Sequence, residues 1–310
     1  MIFDTPILLM IFNRPDTTRQ VFEAIRKARP TKLFVAADGP RPERPGEKER
    51  CEEARTIINN VDWPCEVKTL FQEKNLSCRF GPPTAISWFF DNVEEGIILE
   101  DDCLPDPAFF PFCQELLRYY RDDKRVMQIA GSNFQLGQPR GDGSYYFSKF
   151  NHLWGWASWR RAWALNDFNM STFPKFKEQN VIASVWENKK AQRSWLRTLE
   201  KMHQGKLNTW DYPWTMSFWA QSGLCALPNV NLIKNIGFGD EATHTKKITP
   251  KLEKLNLIGI EELGQLKHPT FVAQNKEADN FTYDQIYRTP FLKKVVIRLS
   301  FLFNKFKNGH

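Results

Sequence analysis

The sequence predicts an α/β protein built on a mostly parallel, Rossmann-like sheet that is flanked by helices. Short apolar runs at residues 6–12, 32–37, 67–71 and 96–100 alternate with segments of helical length and polarity. Apolar runs of this kind are typical of strands buried on both faces, and their alternation with helices is the pattern of doubly wound parallel sheets. The chain has 310 residues, which is enough for one large domain with a substantial core.

The remaining elements follow in order along the chain. A first helix follows the turn at residues 13–16, and further helices are expected at about 43–60, 82–93, 109–120 and 181–203. Strands are expected at 126–130 and 229–233. Trp156, Trp159 and Trp163 have the spacing of one helical stripe, which favours packing in the core.

Composition and charge narrow the classes of partner. The net charge of +7 favours anionic partners, but no nucleic-acid-binding motif is present, so no nucleic-acid partner is expected. The six cysteines show no paired metal spacing, and no segment is long and apolar enough to span a bilayer. We therefore expect reduced thiols and a cytoplasmic protein, soluble or peripheral on the inner face of the cytoplasmic membrane.

The apolar run at residues 96–102 (GIILEDD) ends abruptly in Glu100, Asp101 and Asp102. The carboxyl ends of parallel strands are where open α/β sheets bind ligands. Three neighbouring carboxylates repel one another, and a divalent cation such as Mn²⁺ or Mg²⁺ would remove that repulsion and bind a diphosphate. The alternative is a solvated acidic turn that caps the following helix.

Two further charged residues follow predicted strands, Arg14 after the first and Asp38 after the second. Because the ends of parallel strands meet at one edge of the sheet, these side chains are expected beside the acidic triplet. The sequence has neither a Gly-rich dinucleotide fingerprint nor a phosphate-binding Gly-Lys-Ser loop. A nucleotide would therefore be held by carboxylates, arginine and metal.

Aromatic clusters and a Gly-rich loop supply the other candidates. Asp211 follows Trp210 at the start of a predicted helix, where it is either a helix cap or a general base in a partly dry pocket. Trp154 and Gly155 are candidates for the floor of a sugar-binding pocket. His244 lies in the Gly-rich loop at residues 235–245 and could bind metal or phosphate, although a lone histidine usually does neither.

The chain divides into three predicted parts. Residues 1–245 form the domain described above, residues 246–287 form a poorly packed extension with weak periodicity, and residues 288–307 form a basic amphipathic helix. Such a helix is typical of contact with an anionic membrane surface. It could instead pack on its own domain or on a dimer partner.

The motifs together resemble one family of enzymes. Residues 98–102 (ILEDD) followed by 105–110 (PDPAFF), the WGW at 154–156, the WD at 210–211 and the ATHT at 242–245 occur in a matching order and spacing. On these residues the chain resembles nucleotide-diphospho-sugar glycosyltransferases of the GT-A fold, specifically bacterial relatives of the N-acetylglucosaminyltransferase that initiates complex N-glycans. The resemblance covers roughly residues 6–245.

The resemblance implies roles for particular residues. Asp102 would be the direct ligand of Mn²⁺ (or Mg²⁺), His244 would touch metal or diphosphate, and Asp211 would be the catalytic base. The residues expected to bind the donor are Arg14 at the diphosphate, Asp38 at the nucleobase, Glu100 and Asp101 at the ribose and donor sugar, and Arg79 near the donor.

The implied function is inverting transfer from a nucleoside-diphosphate sugar, with UDP as the first expectation for the nucleotide. The acceptor would be a glycan or a lipid-linked intermediate, as in envelope polysaccharide synthesis. Two alternatives are a nucleotidyltransferase that forms sugar nucleotides and a catalytically silent scaffold of the same fold. The first usually needs a Gly-rich phosphate loop that residues 11–15 do not provide, and the presence of Asp102, Asp211 and His244 argues against the second.

Overall fold

An eight-stranded, mostly parallel sheet runs through the part of the chain that the computed structural model describes, residues 3–237 and 265–288. The strands are β1 (Ile7–Ile11), β2 (Lys32–Ala37), β3 (Glu66–Phe71), β4 (Glu95–Glu100), β5 (Cys103–Pro105), β6 (Val126–Ala130), β7 (Tyr145–Ser148), β8 (Trp156–Trp159), β9 (Leu224–Pro228) and β10 (Ile233–Asn235). Strands β5 and β10 form a separate antiparallel pair. The predicted α/β fold is confirmed.

Helices flank the sheet. They are α1 (Pro15–Ala28), α2 (Glu47–Thr56), α3 (Ser77–Asn92), α4 (Phe109–Tyr119), α5 (Arg160–Trp163), α6 (Phe173–Glu178), α7 (Ile182–Val185), α8 (Lys189–His203), α9 (Asp211–Ala220) and α10 (Lys276–Thr282). The single helix expected at 181–203 is divided into α7 and α8, because the Asn188 side chain caps α8 by accepting from the backbone N–H groups of Lys190 and Ala191.

The strand order in the large sheet is β3-β2-β1-β4-β8-β6-β9-β7. Strand β1 is parallel to both β2 and β4, with Ile11 opposite Ala37 and Met10 opposite Glu100. Strand β8 is antiparallel to both of its neighbours, and β7 is an antiparallel edge strand. This register brings the carboxyl ends of β1, β2 and β4 side by side.

Apolar side chains cover both faces of the central strands of the sheet, as the sequence predicts for strands buried on both sides, whereas the residues of the edge strand β3 are largely exposed. In β4, Ile98 packs in the core on one face, whereas Ile97 and Leu99 pack in the core on the other. The helical stripe expected for the tryptophans is wrong for Trp156 and Trp159. Both lie in β8 and, three residues apart on a strand, they face opposite sides of the sheet.

Strands β7 and β9 are additions to the predicted elements, and the strand expected at 229–233 is displaced. Residues 224–228 form β9, while β10 begins only at Ile233 and pairs with β5. These strands are short, and their pairing depends on partners distant in sequence, such as Phe147 opposite Ala226. Local patterns alone therefore do not identify them.

The described part of the C-terminal extension packs closely on the domain, contrary to the weak packing expected there. In α10, Asp279 is buried and accepts hydrogen bonds from Ser148 Oγ at 2.5 Å and from the backbone N–H of Lys149 at 3.0 Å. Residues 238–264 and 289–310, which hold His244 and nearly all of the predicted basic helix, lie outside the described residues. Within the described residues, no helix is long and apolar enough to cross a membrane.

Candidate active site

The carboxyl ends of β1, β2 and β4 open into a cleft of about 260 Å³. Its lining includes Arg14, Asp38, Glu100 and Asp101, which the sequence places after these strands. The apolar part of the cleft comes from the ends of β1 and β2 and from the first turns of α3. The structure therefore brings four of the predicted donor-binding residues into one cleft.

The Arg14 guanidinium holds together the two aspartates that follow β4. Its Nη2 lies 2.6 Å from Asp101 Oδ1, and its Nη1 lies 2.9 Å from Asp102 Oδ2. Burial alone would lower the pKa of Arg14, but the charges of the two aspartates raise it above its ordinary value. The backbone N–H of Phe12 donates to the other oxygen of Asp101 at 3.2 Å, so both oxygens of that carboxylate have partners.

The strand end carries more negative charge than Arg14 neutralises. Burial raises the pKa of the Glu100 carboxyl, and the charges of Asp102 and Asp101 raise it further. Burial likewise raises the pKa of Asp101, against the attraction of Arg14. A bound cation would relieve this excess charge.

Asp38 fixes the loop that leads into α3. Its Oδ1 accepts from the backbone N–H groups of Gly39 and Leu76, both at 2.8 Å, and its Oδ2 accepts from Asn75 Nδ2 at 3.1 Å. Burial raises the pKa of Asp38, while these backbone N–H groups oppose the increase. Asp38 lines the cleft, so a ligand bound there can contact this carboxylate.

The donors around Asp102 fit a hard cation that takes most of its ligands from substrate and water. Among residues 3–237 and 265–288, no three histidine, cysteine or carboxylate side chains form a metal-binding cluster. The Asp102 side chain is 15% exposed; its Oδ2 has a cationic partner, and its Oδ1 accepts a hydrogen bond from the Cys103 thiol at 3.5 Å. Mg²⁺ and similar ions are commonly bound by one or two carboxylates together with substrate phosphates.

Gly237 brings the backbone that follows β10 against this ion pair. A Cβ at Gly237 would lie 2.2 Å from Asp102 Oδ2 and 2.7 Å from Arg14 Nη1. The backbone N–H of Ile236 donates to the Asp102 carbonyl oxygen at 2.8 Å. The close approach requires glycine. The Gly-rich loop predicted at residues 235–245 therefore begins in contact with the charged end of β4.

A second pocket, of about 220 Å³, lies beside the cleft and contains Asp211; we call it the Asp211 pocket. Its lining residues are Phe134, Phe150, Asn151, His152, Leu153, Trp154, Trp195, Asp211, Tyr212, Thr215, Ile286 and Tyr287. Asp211 begins α9, and Thr209 Oγ1 donates to its Oδ1 at 2.5 Å. The charge of Asp211 also contributes to the raised pKa of Glu100 in the cleft, so the two carboxylates are within electrostatic reach.

The loop before α9 connects the two cavities. Asn208 lines the cleft, and Ser77 Oγ of the cleft lies within hydrogen-bond distance, 3.4 Å, of Asn208 Oδ1. Asp211 follows three residues later and lines the neighbouring pocket. Residues of this loop therefore border both cavities.

The predicted aromatic residues have different positions. Trp154 lines the Asp211 pocket and packs edge-on against Phe134, with ring centroids 5.5 Å apart. Trp210 is buried in the core and packs on Trp156, 6.2 Å between centroids. Gly155, at φ +57°, faces the Ile233 side chain, since a Cβ there would lie only 2.4 Å away.

Arg79 lies in the first turn of α3 with its guanidinium over the Phe80 ring. It is not among the residues that line the cleft, although Ser77, Cys78 and Gly81 are. His244 lies outside the described residues.

Sequence reasoning missed Asn151 and His152, and also the contribution of Ile286 and Tyr287. The one available signal is the polar pair inside the aromatic segment FNHLWGW at residues 150–156. Tyr287 stacks on Phe150 with ring centroids 5.0 Å apart and an interplanar angle of 7°. The C-terminal extension thus forms one wall of the pocket.

No protein-family model and no curated protein matches the chain. Among solved structures, it is similar to HddC from Yersinia pseudotuberculosis (TM-score 0.32, 8% identity, 51% of this chain and 77% of that chain). It is also similar to 4-diphosphocytidyl-2C-methyl-D-erythritol synthase from Anaerococcus prevotii (TM-score 0.33, 8% identity, 52% and 74%). An apo UDP-glucose pyrophosphorylase matches 81% of this chain and 97% of its own (TM-score 0.37, 10% identity). Similarity of this extent identifies no family.

Proposed function

We propose that the chain is an inverting glycosyltransferase that moves a sugar from a nucleoside-diphosphate sugar to a hydroxyl of a glycan or glycolipid. One observation carries the proposal: a charged cleft at the strand ends adjoins a pocket that contains the Asp211 carboxylate and no arginine or lysine in its described lining. The cleft suits a nucleoside diphosphate, and the pocket suits an uncharged nucleophile.

The proposed donor lies across the strand ends. Arg14 would contact the diphosphate, and Asp38 would contact the nucleobase. Glu100 and Asp101 would hydrogen-bond the ribose and the donor sugar. A preorganised cation at the leaving group stabilises the charge that develops as the diphosphate departs.

Mn²⁺ or Mg²⁺ would be held by Asp102 and, as the sequence predicts, by His244. The bound ion would supply further positive charge to the departing diphosphate. Arg14 and Asp102 are already paired, so the arginine would orient the carboxylate that binds the ion.

Asp211 would accept the proton of the acceptor hydroxyl as that oxygen attacks the anomeric carbon. The new oxygen–carbon bond forms while the bond from the anomeric carbon to the diphosphate oxygen breaks, and the nucleoside diphosphate leaves with the electron pair. A single displacement of this kind inverts the anomeric configuration. The hydrogen bond from Thr209 holds one oxygen of Asp211 and leaves the other for the acceptor.

Asp211→Asn tests the proposal, because the amide keeps the shape and the Thr209 hydrogen bond but cannot take a proton. We expect transfer from UDP-sugars to fall by about 10²- to 10⁴-fold with donor affinity unchanged. Release of UDP is measured with a panel of methyl glycosides as acceptors. Asp91→Asn, at an exposed carboxylate on α3, is the matched control and should retain full activity.

Three results would contradict the proposal. Full transfer by the Asp211→Asn variant would exclude Asp211 as the base. Release of pyrophosphate from UTP and a sugar 1-phosphate, without transfer from UDP-sugars, would instead identify a nucleotidyltransferase that forms sugar nucleotides. Failure to bind any nucleotide would support the scaffold alternative.

Contact of residues 288–307 with anionic lipid remains a prediction from the sequence. Flotation of the full chain with phosphatidylglycerol vesicles, compared with a chain ending at residue 287, tests it. Equal flotation of both chains would contradict a membrane role for this segment.

A further inference from the structure

We infer that the Asp211 pocket binds one uncharged sugar ring, with aromatic walls against its faces and with His152 and Trp195 hydrogen-bonding to its hydroxyls. The identification of this ring as the acceptor rests on the proposed function. The inference that the pocket binds a neutral saccharide does not, since binding can be measured without donor or metal.

Three buried nitrogens in the pocket have no hydrogen-bond partner within the described chain. They are Asn151 Nδ2, His152 Nε2 and Trp195 Nε1, on side chains that are 8%, 5% and 7% exposed. A buried polar group without a partner costs about 1–3 kcal/mol, so folded proteins rarely retain several in one place. All three residues line the same cavity, so a molecule bound there with a small shift of these side chains would supply the missing partners.

The walls of the pocket are aromatic rings in contact with one another. Phe150 stacks between His152 and Tyr287, with centroid distances of 5.6 and 5.0 Å, and Trp195 lies 5.2 Å from Tyr287. A sugar ring has apolar C–H faces and a polar rim, which matches apolar walls with hydrogen-bonding groups between them. The volume of 220 Å³ equals that of about seven liquid waters, which is enough for one six-membered ring.

The charge of the pocket excludes phosphorylated ligands. Asp211 is a carboxylate, and the described lining contains no lysine or arginine to offset it. His152 adds no positive charge, because burial lowers its pKa to about 3. A cation would suit Asp211 and the aromatic rings, but it would leave the unpartnered Trp195 N–H donor without an acceptor, whereas hydroxyls satisfy both.

The test uses the full chain without nucleotide or metal, and methyl glycosides of glucose, galactose, mannose and N-acetylglucosamine as probes. Binding is measured by saturation-transfer NMR and calorimetry. His152→Phe and Trp195→Phe each preserve an aromatic wall and remove a ring nitrogen. We expect at least one glycoside to bind, and each variant to weaken binding by about threefold to tenfold, the effect of one hydrogen bond.

Folding stability separates a binding role from a structural one. Removing an unpartnered buried nitrogen should leave the melting temperature of His152→Phe unchanged or raised. Loss of affinity without loss of stability is the expected result. Phe80→Leu, an exposed aromatic outside the pocket, is the control and should bind like the native chain.

Several results would overturn the inference. The first is that the native chain binds none of the glycosides. The second is that both variants bind glycosides with the affinity of the native chain. The third is that a sugar 1-phosphate or tetramethylammonium binds more tightly than the glycosides in the same pocket. If transfer is never detected but glycoside binding depends on His152 and Trp195, the inference stands and the proposed function fails. If transfer depends on Asp211 but not on His152 or Trp195, only the inference fails.

Discussion

Replacing His152 by phenylalanine also tests whether the Asp211 pocket is free of positive charge. His152 is 5% exposed, packs between the rings of Phe134 and Phe150, and has a pKa lowered by burial from 6.5 to about 3. The folded chain therefore binds this proton far more weakly than the unfolded chain does. Stability from the neutral imidazole is complete above pH 6.5 and is lost as the pH falls towards 3.

The size of the effect follows from the difference in pKa. Between pH 6.5 and pH 4, an interval of about 2.5 pH units, the histidine is protonated in the unfolded chain but not in the folded chain. This difference corresponds to roughly 3 kcal/mol of unfolding free energy. Phenylalanine does not titrate, so the variant lacks this pH-dependent contribution to stability. The native chain should therefore lose about 3 kcal/mol more than His152→Phe between pH 7 and pH 4.

Urea unfolding of both chains at pH 7, 6, 5 and 4 measures this difference directly. The carboxylates titrate in both chains, so their contribution cancels in the comparison. A stability difference that widens in favour of His152→Phe below pH 6.5 is the expected result. Parallel pH dependence of the two chains would show that His152 keeps its ordinary pKa in the folded state, and the pocket would then carry a cation beside Asp211 below about pH 6.5.

Three further substitutions test the charged cleft and its support. Arg14→Met leaves two paired aspartates without their cation, so it should destabilise the chain by about 3–5 kcal/mol in urea unfolding; no loss would contradict the ion pairing. Gly155→Ala should cost about 2–4 kcal/mol, because its Cβ would clash with Ile233 at positive φ. Gly137→Ala, at positive φ but in open space, is the control and should cost less. Asp102→Ala should abolish Mn²⁺-dependent nucleotide binding in calorimetry, and retained dependence would exclude it as the ligand.

The central strands could be predicted because each carries its own signal. Strands β1, β2, β4 and β6 are buried on both faces, so their sequences are short apolar runs that end at polar residues. The parallel register then brings Arg14, Asp38 and the acidic residues together without further information. This half of the candidate site follows from local patterns and one rule of sheet geometry.

The antiparallel part of the sheet gave no comparable signal. Strand β8 consists of WASW, whose outer tryptophans pack on opposite faces between β4 and β6. The same spacing fits a helical stripe, and only the pairing with strands distant in sequence decides between them. Strand β9 was missed for the same reason, since its partners β6 and β7 are about 80–100 residues away.

The Asp211 pocket could not be assembled from the sequence, because it is a product of long-range packing. Its walls come from the loop near Phe134, the segment at 150–154, helix α8, the start of α9 and Tyr287 of the C-terminal extension. Individually these residues resemble ordinary core positions. Their unpartnered nitrogens become informative only when the surrounding side chains are in place.

Calorimetric titration of UDP, dTDP and GDP into the chain, first with Mn²⁺ and then with chelator, tests the central claim most directly. We expect one nucleoside diphosphate to bind and chelation to weaken that binding sharply. Asp211→Asn should leave the nucleotide affinity unchanged. Absence of binding to every nucleotide in the presence of Mn²⁺ would contradict the assignment of the strand-end cleft as a donor site.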